Sequence, residues 1–490
     1  MTAILRGAAA GVLAAGLGVA VAELFAAATR PETAPLIAIG GTIIDATPTA
    51  VKEFAVRELG TSDKPVLLAS VGLVLALFAA AAGVLGRNHP RLVAPAAVVL
   101  GAAGAAAAVS RPAATVLAVI PSLVAAAVAG VALRWLLRPA PTPAPGRRVF
   151  LRNATLVAGA AVLSEGGAQV LSRTVGRVRT DLSLPAAASP ARPRPAGTGP
   201  GFVTTTGDFY RVDTALAVPR IDPDAWSLRV SGMVDRTLRL SLDDLLRRPL
   251  IERDITLNCV SNEVGGPYIG TARWLGVPLA PLLAEAGPHR GADQIVARSV
   301  EGMTIGTPLA TALDGRDTML AVAMNGEPLT PEHGFPVRML TPGLYGYAGA
   351  CKWVSELQIT TFTAYDAYWV KRGWARAGTV RTASRIDRPR PFARLAAGPV
   401  TVAGVAWAQR RGITRVEVSV DGGPWRAAEL LPVPSADTWV QWRYPWAATP
   451  GPHSLAVRAT DGTGAVQPGA RATPFPSGAT GWHTVTVTVT

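Results

Sequence analysis

The segment ERDITLNCVSNEVGGPYIGTARWLGVPL, residues 252–279, contains Cys259 at the end of an apolar run. The run predicts a buried strand, and Gly265 and Gly266 predict a tight turn soon after it. A cysteine in this position fits three roles. It is a buried structural thiol, a nucleophile whose histidine and asparagine partners lie elsewhere in the chain, or a soft thiolate ligand of a transition metal. A metal bound by a single cysteine needs its other ligands from another source.

Composition excludes several classes of protein. The chain has 490 residues, a net charge of +14 and two cysteines. Its arginines are scattered and form no nucleic-acid-binding motif, so we expect no nucleic-acid partner. Without a CxxC pair, zinc-ribbon and thioredoxin-like sites are excluded, and one disulfide, Cys259 to Cys351, stays open as an alternative. The five histidines show no HExxH and no paired spacing in an apolar helix, so we predict no haem.

The first 172 residues predict about five transmembrane helices, since each apolar run approaches the length that crosses a bilayer. Short basic loops alternate with a longer loop, residues 30–64, that contains five acidic side chains. The positive-inside rule then places the N-terminus in the cytoplasm and everything after residue 172 outside the plasma membrane. The fifth segment begins with RRVFLR, residues 147–152, which resembles a twin-arginine export signal. The predicted segments are 7–29, 65–86, 92–110, 113–137 and 150–170.

The remainder of the chain predicts a linker and two soluble domains. Residues 173–201 are rich in proline and alanine and read as a tether. Residues 202–385 mix strands with short helices and have neither a βαβ rhythm nor a GxGxxG motif, which indicates an α+β domain. Residues 386–490 alternate apolar and polar positions with turns about every ten residues, which is typical of an all-β, immunoglobulin-like sandwich.

Three segments carry a resemblance to the sulfite oxidase family. They are FYRVDTALAVPRIDPDAWSLRVSG (209–232), TLNCVSNEVGGPYIGTARWLGVPL (256–279) and AMNGEPLTPEHGFPVRMLTPGLYGYAGACKWVSELQI (323–359). The C-terminal residues resemble the dimerisation domain of that family. The resemblance covers about residues 200–490, in order. It implies a sulfite-oxidase-like molybdopterin domain, a molybdenum–molybdopterin cofactor (Moco), and a homodimer.

The resemblance also implies roles for individual residues. Cys259 would be the metal ligand, and Arg211 would face the substrate oxyanion; both would be catalytic. His333 and Arg338 of the HGFPVR segment would hold the pterin and its phosphate, for which a bidentate guanidinium is well suited. The other predicted cofactor-binding residues are Tyr210, Arg211, Val212, Asp213, Thr214, Glu301, Ala350, Cys351 and Lys352.

The chain departs from the family pattern in two places. Glu263 stands where sulfite oxidases have basic residues after the cysteine, and Val380 stands where they have an active-site tyrosine. The resemblance therefore predicts a membrane-anchored, extracytoplasmic oxidoreductase that moves an oxygen atom to or from a small substrate: sulfite-like, an S-oxide or an N-oxide. The expected partners are the lipid bilayer and an external electron carrier or quinone. The alternative is a non-catalytic binding or assembly protein that keeps the molybdopterin fold.

Overall fold

The computed structural model describes residues 3–59, 62–111, 114–138, 146–174, 182–212 and 215–490. They form two compact units. The first contains Met1–Val178 together with Thr214–Arg220, and the second contains Arg179–Asp213 together with Ile221–Thr490. The division follows the change in composition, except that one short segment from beyond residue 200 belongs to the first unit.

The first unit is helical because its sequence consists of long runs of alanine, valine, leucine and glycine. Small residues bring the axes of helices close together: a Cβ atom added to Gly11 would meet the carbonyl oxygen of Ala79. In the described part, five helices are long and apolar enough to cross a membrane: Ala3–Ala28, Asp63–Asn88, Pro90–Val109, Val116–Leu137 and Arg148–Leu171. The α-helices of this unit are α1 (Ala3–Ala28), α2 (Pro35–Ala46), α3 (Thr49–Leu59), α4 (Asp63–Asn88), α5 (Val93–Val109), α6 (Ile120–Leu137) and α7 (Gly146–Thr174).

The stretch expected as a loop, residues 30–64, instead contains α2 and α3. Asp45 of α2 forms an ion pair with Arg111 at 2.7 Å, which accounts for one acidic side chain in this stretch. Two hydrogen bonds attach the segment 214–220 to the helices. The Lys64 ammonium donates to the carbonyl oxygen of Ala215 at 2.8 Å, and Arg220 donates to the carbonyl oxygen of Ala27 at 3.1 Å.

The prediction that residues 173–201 form a free tether is wrong for the described part, residues 182–201. Ser189 forms a parallel bridge with Ile251, and Arg194 pairs with the buried carboxylate of Asp254 at 3.3 Å. Leu182 and Leu184 pack against the core of the second unit. Although the segment is rich in proline, its separated apolar and charged side chains contact defined partners in the second unit.

The α+β prediction for the next part of the chain is confirmed in its elements. A capping box at Ser241 starts a short helix, and Gly287 ends another with a positive φ of 70°. One apolar core is shared by two sheets. The strands are β1 (Ser227–Gly232), β2 (Leu238–Ser241), β3 (Ile251–Asn258), β4 (Ile269–Pro278), β5 (Gln294–Ser299), β6 (Thr304–Pro308), β7 (Met319–Met324), β8 (Glu327–Pro328), β9 (Arg338–Leu340), β10 (Ala350–Cys351) and β11 (Val354–Thr360). The helices are α8 (Leu242–Leu246), α9 (Leu279–Ala286), α10 (Leu309–Ala312) and α11 (Gly346–Gly349).

Strand order places the candidate residues on one sheet. The first sheet has the order β2-β1-β11-β5-β6, with β1 and β11 parallel. The second has the order β10-β9-β7-β4-β3, with β8 beside β7. Cys259 therefore directly follows β3 at one edge of this sheet, while β9 and β10, which carry Arg338 and Cys351, lie toward the opposite edge.

The C-terminal part is rich in β-sheet, as predicted. Its two sheets have the orders β12-β14-β18-β17 and β13-β20-β19-β15-β16 and enclose a single apolar core. The strands are β12 (Ala383–Arg388), β13 (Arg394–Leu395), β14 (Gly398–Trp407), β15 (Ile413–Val420), β16 (Arg426–Ala427), β17 (Glu429–Leu430), β18 (Val440–Ala448), β19 (Gly451–Asp461) and β20 (His483–Val489).

Candidate functional site

Cys259 lies in the first position after β3, at the start of a tightly closed loop. Its backbone N–H donates to the carbonyl oxygen of Tyr268 at 2.9 Å, and the N–H of Asn262 donates to the carbonyl oxygen of Cys259 at 3.1 Å. The Asn262 side-chain oxygen accepts from the N–H of Tyr268 at 2.9 Å. These bonds fix the position of the cysteine backbone within the second unit.

The thiol of Cys259 is buried and is not part of a disulfide. Both Cys259 and Cys351 are free, so the alternative of a bridge between them is wrong. Burial raises the pKa of the Cys259 thiol, which therefore stays protonated at neutral pH unless a cation stabilises the thiolate. Among the described residues, no group of three or more histidine, cysteine, aspartate or glutamate side chains could hold a metal ion. A metal at Cys259 would need ligands from an organic group.

Two residues of the C-terminal sheets contact the loop that follows Cys259. Arg385 of β12 donates to the carbonyl oxygen of Gly266 at 2.8 Å. The ring of His483 packs against Gly265 and leaves no space for a Cβ atom there, and the positive φ of 81° also favours glycine. Sequence reasoning missed these contacts because they join residues more than 100 positions apart.

Three aromatic rings connect the predicted cofactor residues. Phe209 stacks on Tyr210 with ring centroids 5.3 Å apart, and it contacts the His333 ring edge-on at 5.9 Å. A Cβ atom on Gly346 would lie 3.9 Å from the Tyr210 hydroxyl and 4.0 Å from the carbonyl oxygen of Asn258. Burial and the neighbouring Cys259 sulfur raise the pKa of Tyr210. Tyr210 is therefore a neutral hydroxyl beside the Cys259 backbone.

His333 is a neutral hydrogen-bond donor. It is buried, and its Nε2–H donates to the carbonyl oxygen of Thr206 at 2.8 Å. Burial lowers the pKa of His333 to about 4, and the positive charges of Arg338 and Lys352 act in the same direction. The ring is therefore uncharged at neutral pH, and Nδ1 is left as an acceptor.

Arg338, the first residue of β9, is a buried cation. It is 7% exposed, and its guanidinium lies 5.0 Å from the ring centroid of Trp274. One Nη donates to the carbonyl oxygen of His333 at 3.2 Å, whereas Nε has no hydrogen-bond partner. Burial lowers the pKa of Arg338 to about 10. No carboxylate in the described part of the chain pairs with it, so a buried anion would complete the site.

Glu301, Cys351 and Lys352 lie on the same side of the fold. Cys351 of β10 pairs with Met339 of β9, directly beside Arg338. Burial and the negative charge of Glu301 raise the pKa of Cys351. Lys352 donates to the carbonyl oxygen of Glu332 at 3.2 Å. Ala350, also of β10, places its backbone at the same sheet edge.

The structure does not bring all the predicted residues into this group. Arg211 is exposed, and Val212 is 46% exposed. Asp213 and Thr214 lie outside the described residues. The predictions for these four positions stay predictions.

The residues present fit an elongated, partly anionic organic group. Besides Arg338 Nε, the buried side-chain oxygen of Asn258 has no hydrogen-bond partner. Gly346 leaves space between Tyr210 and Asn258. One end of such a group would meet a guanidinium and a neutral histidine, and the other would meet a cysteine thiol. Phe209, Trp274 and Asn258 were not predicted from the sequence, because aromatic and amide side chains in strands are common in ordinary cores.

A small cleft, open to solvent and with room for about one water molecule, lies beside Asn258 and the loop that follows Cys259. Its wall combines residues of that loop, including Asn262 and Glu263, with residues of the C-terminal sheets. The described residues that line the cleft include neither Cys259 nor the predicted cofactor residues His333 and Arg338.

Comparison with known proteins gives two family matches. Residues 215–369 match the family described as "Oxidoreductase molybdopterin binding domain", and residues 377–490 match the "Mo-co oxidoreductase dimerisation domain". Mitochondrial sulfite oxidase of Mus musculus is 35% identical over 284 residues, which are 49% of this chain and 51% of the relative. Sulfite oxidase of Gallus gallus is 30% identical over 312 residues, which are 54% of this chain and 68% of the relative.

Among solved structures, the sulfane dehydrogenase SoxCD from Paracoccus pantotrophus is similar with a TM-score of 0.49 and 28% identity. This match covers 56% of the chain and 76% of that structure. The chain spans about half the length of several curated relatives that it matches, such as the mouse protein.

Proposed function

Because the chain belongs to the sulfite oxidase family of molybdopterin-dependent oxidoreductases, we propose that it transfers an oxygen atom to or from a small substrate at a Moco site beside Cys259. The observation that carries this proposal is the buried guanidinium of Arg338, with which no carboxylate of the described residues pairs, on the sheet whose strand β3 leads directly into the buried free thiol of Cys259. A phosphorylated dithiolene cofactor would supply an anion for the Arg338 guanidinium and a metal ion for the Cys259 thiol.

The protein side chains would bind and orient the cofactor. Arg338 would hold the phosphate through Nε and Nη, and His333 would present Nδ1 to a pterin N–H. Cys259 would bind the metal as a thiolate, since a cation offsets the burial that otherwise raises its pKa. When bound, the molybdenum centre supplies the two-electron chemistry of oxygen transfer. Arg211 remains the proposed substrate-facing cation.

The helical unit would anchor the enzyme in the plasma membrane. The apolar helices and the basic loops support a cytoplasmic N-terminus and an extracytoplasmic catalytic domain. A twin-arginine signal at residues 147–152 would fit this arrangement, because the cofactor must be inserted into a folded domain before export.

Residues 377–490 support a homodimer, since they match a dimerisation domain. We propose an immunoglobulin-like topology for their two sheets. An external electron carrier or a membrane quinone would complete the redox cycle.

Metal analysis of the purified full-length protein tests the proposal. We expect near-stoichiometric molybdenum and pterin in protein from a host that makes Moco. The X-ray absorption spectrum of the molybdenum should lose one sulfur neighbour in Cys259→Ser. The same exchange at the other buried thiol, Cys351→Ser, should keep all sulfur neighbours. Protein without molybdenum or pterin, or an unchanged sulfur count in Cys259→Ser, would contradict the proposal and favour a non-catalytic binding protein.

A further inference from the structure

One end of the helical unit, the arginine-rich end, combines many cationic side chains with no acidic one. The arginines lie at the start of α1, at the end of α4, in the turn between α4 and α5, at the end of α6 and at the start of α7. Those with described side chains are Arg6, Arg87, Arg91, Arg134, Arg138, Arg148 and Arg152. No aspartate or glutamate occurs in residues 1–22 or 64–164, so the sequence provides no carboxylate beside these charges.

Contacts between the helices bring these arginines to the same end of the bundle. A Cβ atom on Gly7 of α1 would lie 3.0 Å from the carbonyl oxygen of Gly83 on α4. Phe150 of α7 packs against an apolar cluster that contains Ala10 of α1 and Leu136 of α6. The start of α1 therefore meets the end of α4, the end of α6 and the start of α7.

The arginines at the opposite end of the unit have carboxylate partners. Arg30 pairs with Glu32 at 2.9 Å, and Arg111 pairs with Asp45 at 2.7 Å. Every acidic residue of residues 1–178 lies between positions 23 and 63 or at position 165. Among the described residues, the arginine-rich end thus has no carboxylate with which to form such pairs.

Two polar side chains at the arginine-rich end have buried atoms without a partner. The Nε–H of Arg6 is buried and has no hydrogen-bond acceptor. Asn153, one helical turn after Phe150 on α7, has a buried side-chain oxygen without a donor. The positive-inside rule explains the side on which arginines accumulate, but not a guanidinium N–H that is buried without an acceptor. An external group that offers an anionic oxygen and a hydroxyl would satisfy both atoms.

Apolar side chains are exposed directly beside the arginines. Leu85 is 54% exposed, Leu92 is 48% exposed and Leu151 is 48% exposed. Each is separated by at most two positions from an arginine of this end. A ligand that places its phosphate among the guanidinium groups would therefore lay acyl chains on an apolar surface, which a free phosphate ion does not need.

We propose that the arginine-rich end binds the headgroup of an anionic phospholipid with two phosphates, of the cardiolipin type. The inference rests on the proposed membrane anchorage and adds a ligand to it. Arginines from several helices surround Arg6, which is more positive charge than one phosphodiester neutralises. Arg6 would bind one phosphate, the exposed arginines would bind the other, and the hydroxyl of the bridging glycerol would donate to Asn153. Basic sites between transmembrane helices suit such headgroups.

Native mass spectrometry of the detergent-purified full-length protein tests the inference. Cardiolipin, phosphatidylglycerol and phosphatidylcholine are titrated separately, and the affinity and stoichiometry of each are measured. We expect one cardiolipin per chain, bound at least about tenfold more tightly than phosphatidylglycerol, and no specific binding of phosphatidylcholine.

Variants of two arginines separate this site from general attraction to the membrane. Arg6→Gln should weaken cardiolipin binding by about five- to tenfold, whereas Arg30→Gln, at the opposite end, should change it by less than about twofold. Arg6→Lys keeps the charge and therefore the membrane orientation. It should still weaken binding by about threefold, because an ammonium group cannot replace the guanidinium fork.

Four results would overturn the inference. Equal affinity for cardiolipin and phosphatidylglycerol would indicate annular lipid only. Equal effects of Arg6→Gln and Arg30→Gln, or wild-type affinity in Arg6→Lys, would remove Arg6 from the site. Displacement of cardiolipin by millimolar inorganic phosphate would indicate a site for free phosphate. Failure of the proposed anchorage is distinguishable, since the full-length protein would then remain in solution without detergent.

Discussion

Replacing Arg338 by methionine should stabilise the cofactor-free protein while it abolishes cofactor retention. Burial lowers the pKa of Arg338 from 12.5 to about 10. Because the pKa of the Arg338 guanidinium is lower in the folded than in the unfolded protein, its charged form destabilises the folded state by about 3 kcal/mol at neutral pH. Loss of the stacking contact with Trp274 would offset about 1 kcal/mol of the gain. The net stabilisation is about 2 kcal/mol, or roughly 4–8 °C in Tm for a domain of this size.

The assay is thermal unfolding of detergent-purified protein from a host that lacks molybdopterin synthesis. Pterin content is measured in parallel on protein from a competent host. Arg443→Met is the control, because Arg443 is exposed and pairs with Glu429 at the surface. It should change Tm little and keep the pterin. If cofactor-free Arg338→Met unfolds at or below the wild-type temperature, the counter-ion argument is refuted. Normal pterin content in Arg338→Met would refute the proposed phosphate contact.

Three further predictions concern other parts of the molecule. Asp254→Asn should lower the free energy of unfolding by about 3–5 kcal/mol, since it breaks a buried ion pair with Arg273 at 2.9 Å. Thermal unfolding measures this loss, and early proteolysis within residues 182–201 should accompany it. Between pH 6.5 and about 4, the cofactor-free protein should lose stability as pH falls, because the pKa of His333 is lower when folded than when unfolded. His333→Gln should flatten that part of a stability–pH curve; an unchanged slope would contradict the assignment. Gly11→Val should lower the unfolding temperature of the helices, because a side chain there collides with Ala79; wild-type stability would show that the helices do not pack this closely.

Local patterns predicted most of the elements. The strand before Cys259, the helix capped by Ser241 and the helix ended by Gly287 all depend on neighbouring residues, so the sequence indicates them directly. The alternating strands of the C-terminal part are equally local. Resemblance to a family selected Cys259, His333 and Arg338. The structure gives two of these an unusual setting: Arg338 is a buried cation that pairs with no carboxylate of the described residues, and His333 is a buried neutral histidine.

The sequence pattern did not predict the long-range contacts. The segment 182–201 reads as a tether because its composition is that of a linker, but Arg194 and Asp254 lie 60 positions apart and hold it in place. Similarly, nothing around residue 483 indicates that His483 packs against the Cys259 loop.

The segment 214–220 has a consequence for biosynthesis. It belongs to the helical unit but follows α1–α7 in the chain, and the 35 residues that separate it from Val178 belong to the other unit. A nascent chain therefore cannot complete the helical unit when α7 leaves the ribosome. The hydrogen bond from Arg220 to the carbonyl oxygen of Ala27 can form only after nearly 200 more residues have been synthesised. The two units therefore complete their folding at overlapping times. A single cut in the chain cannot release either unit intact.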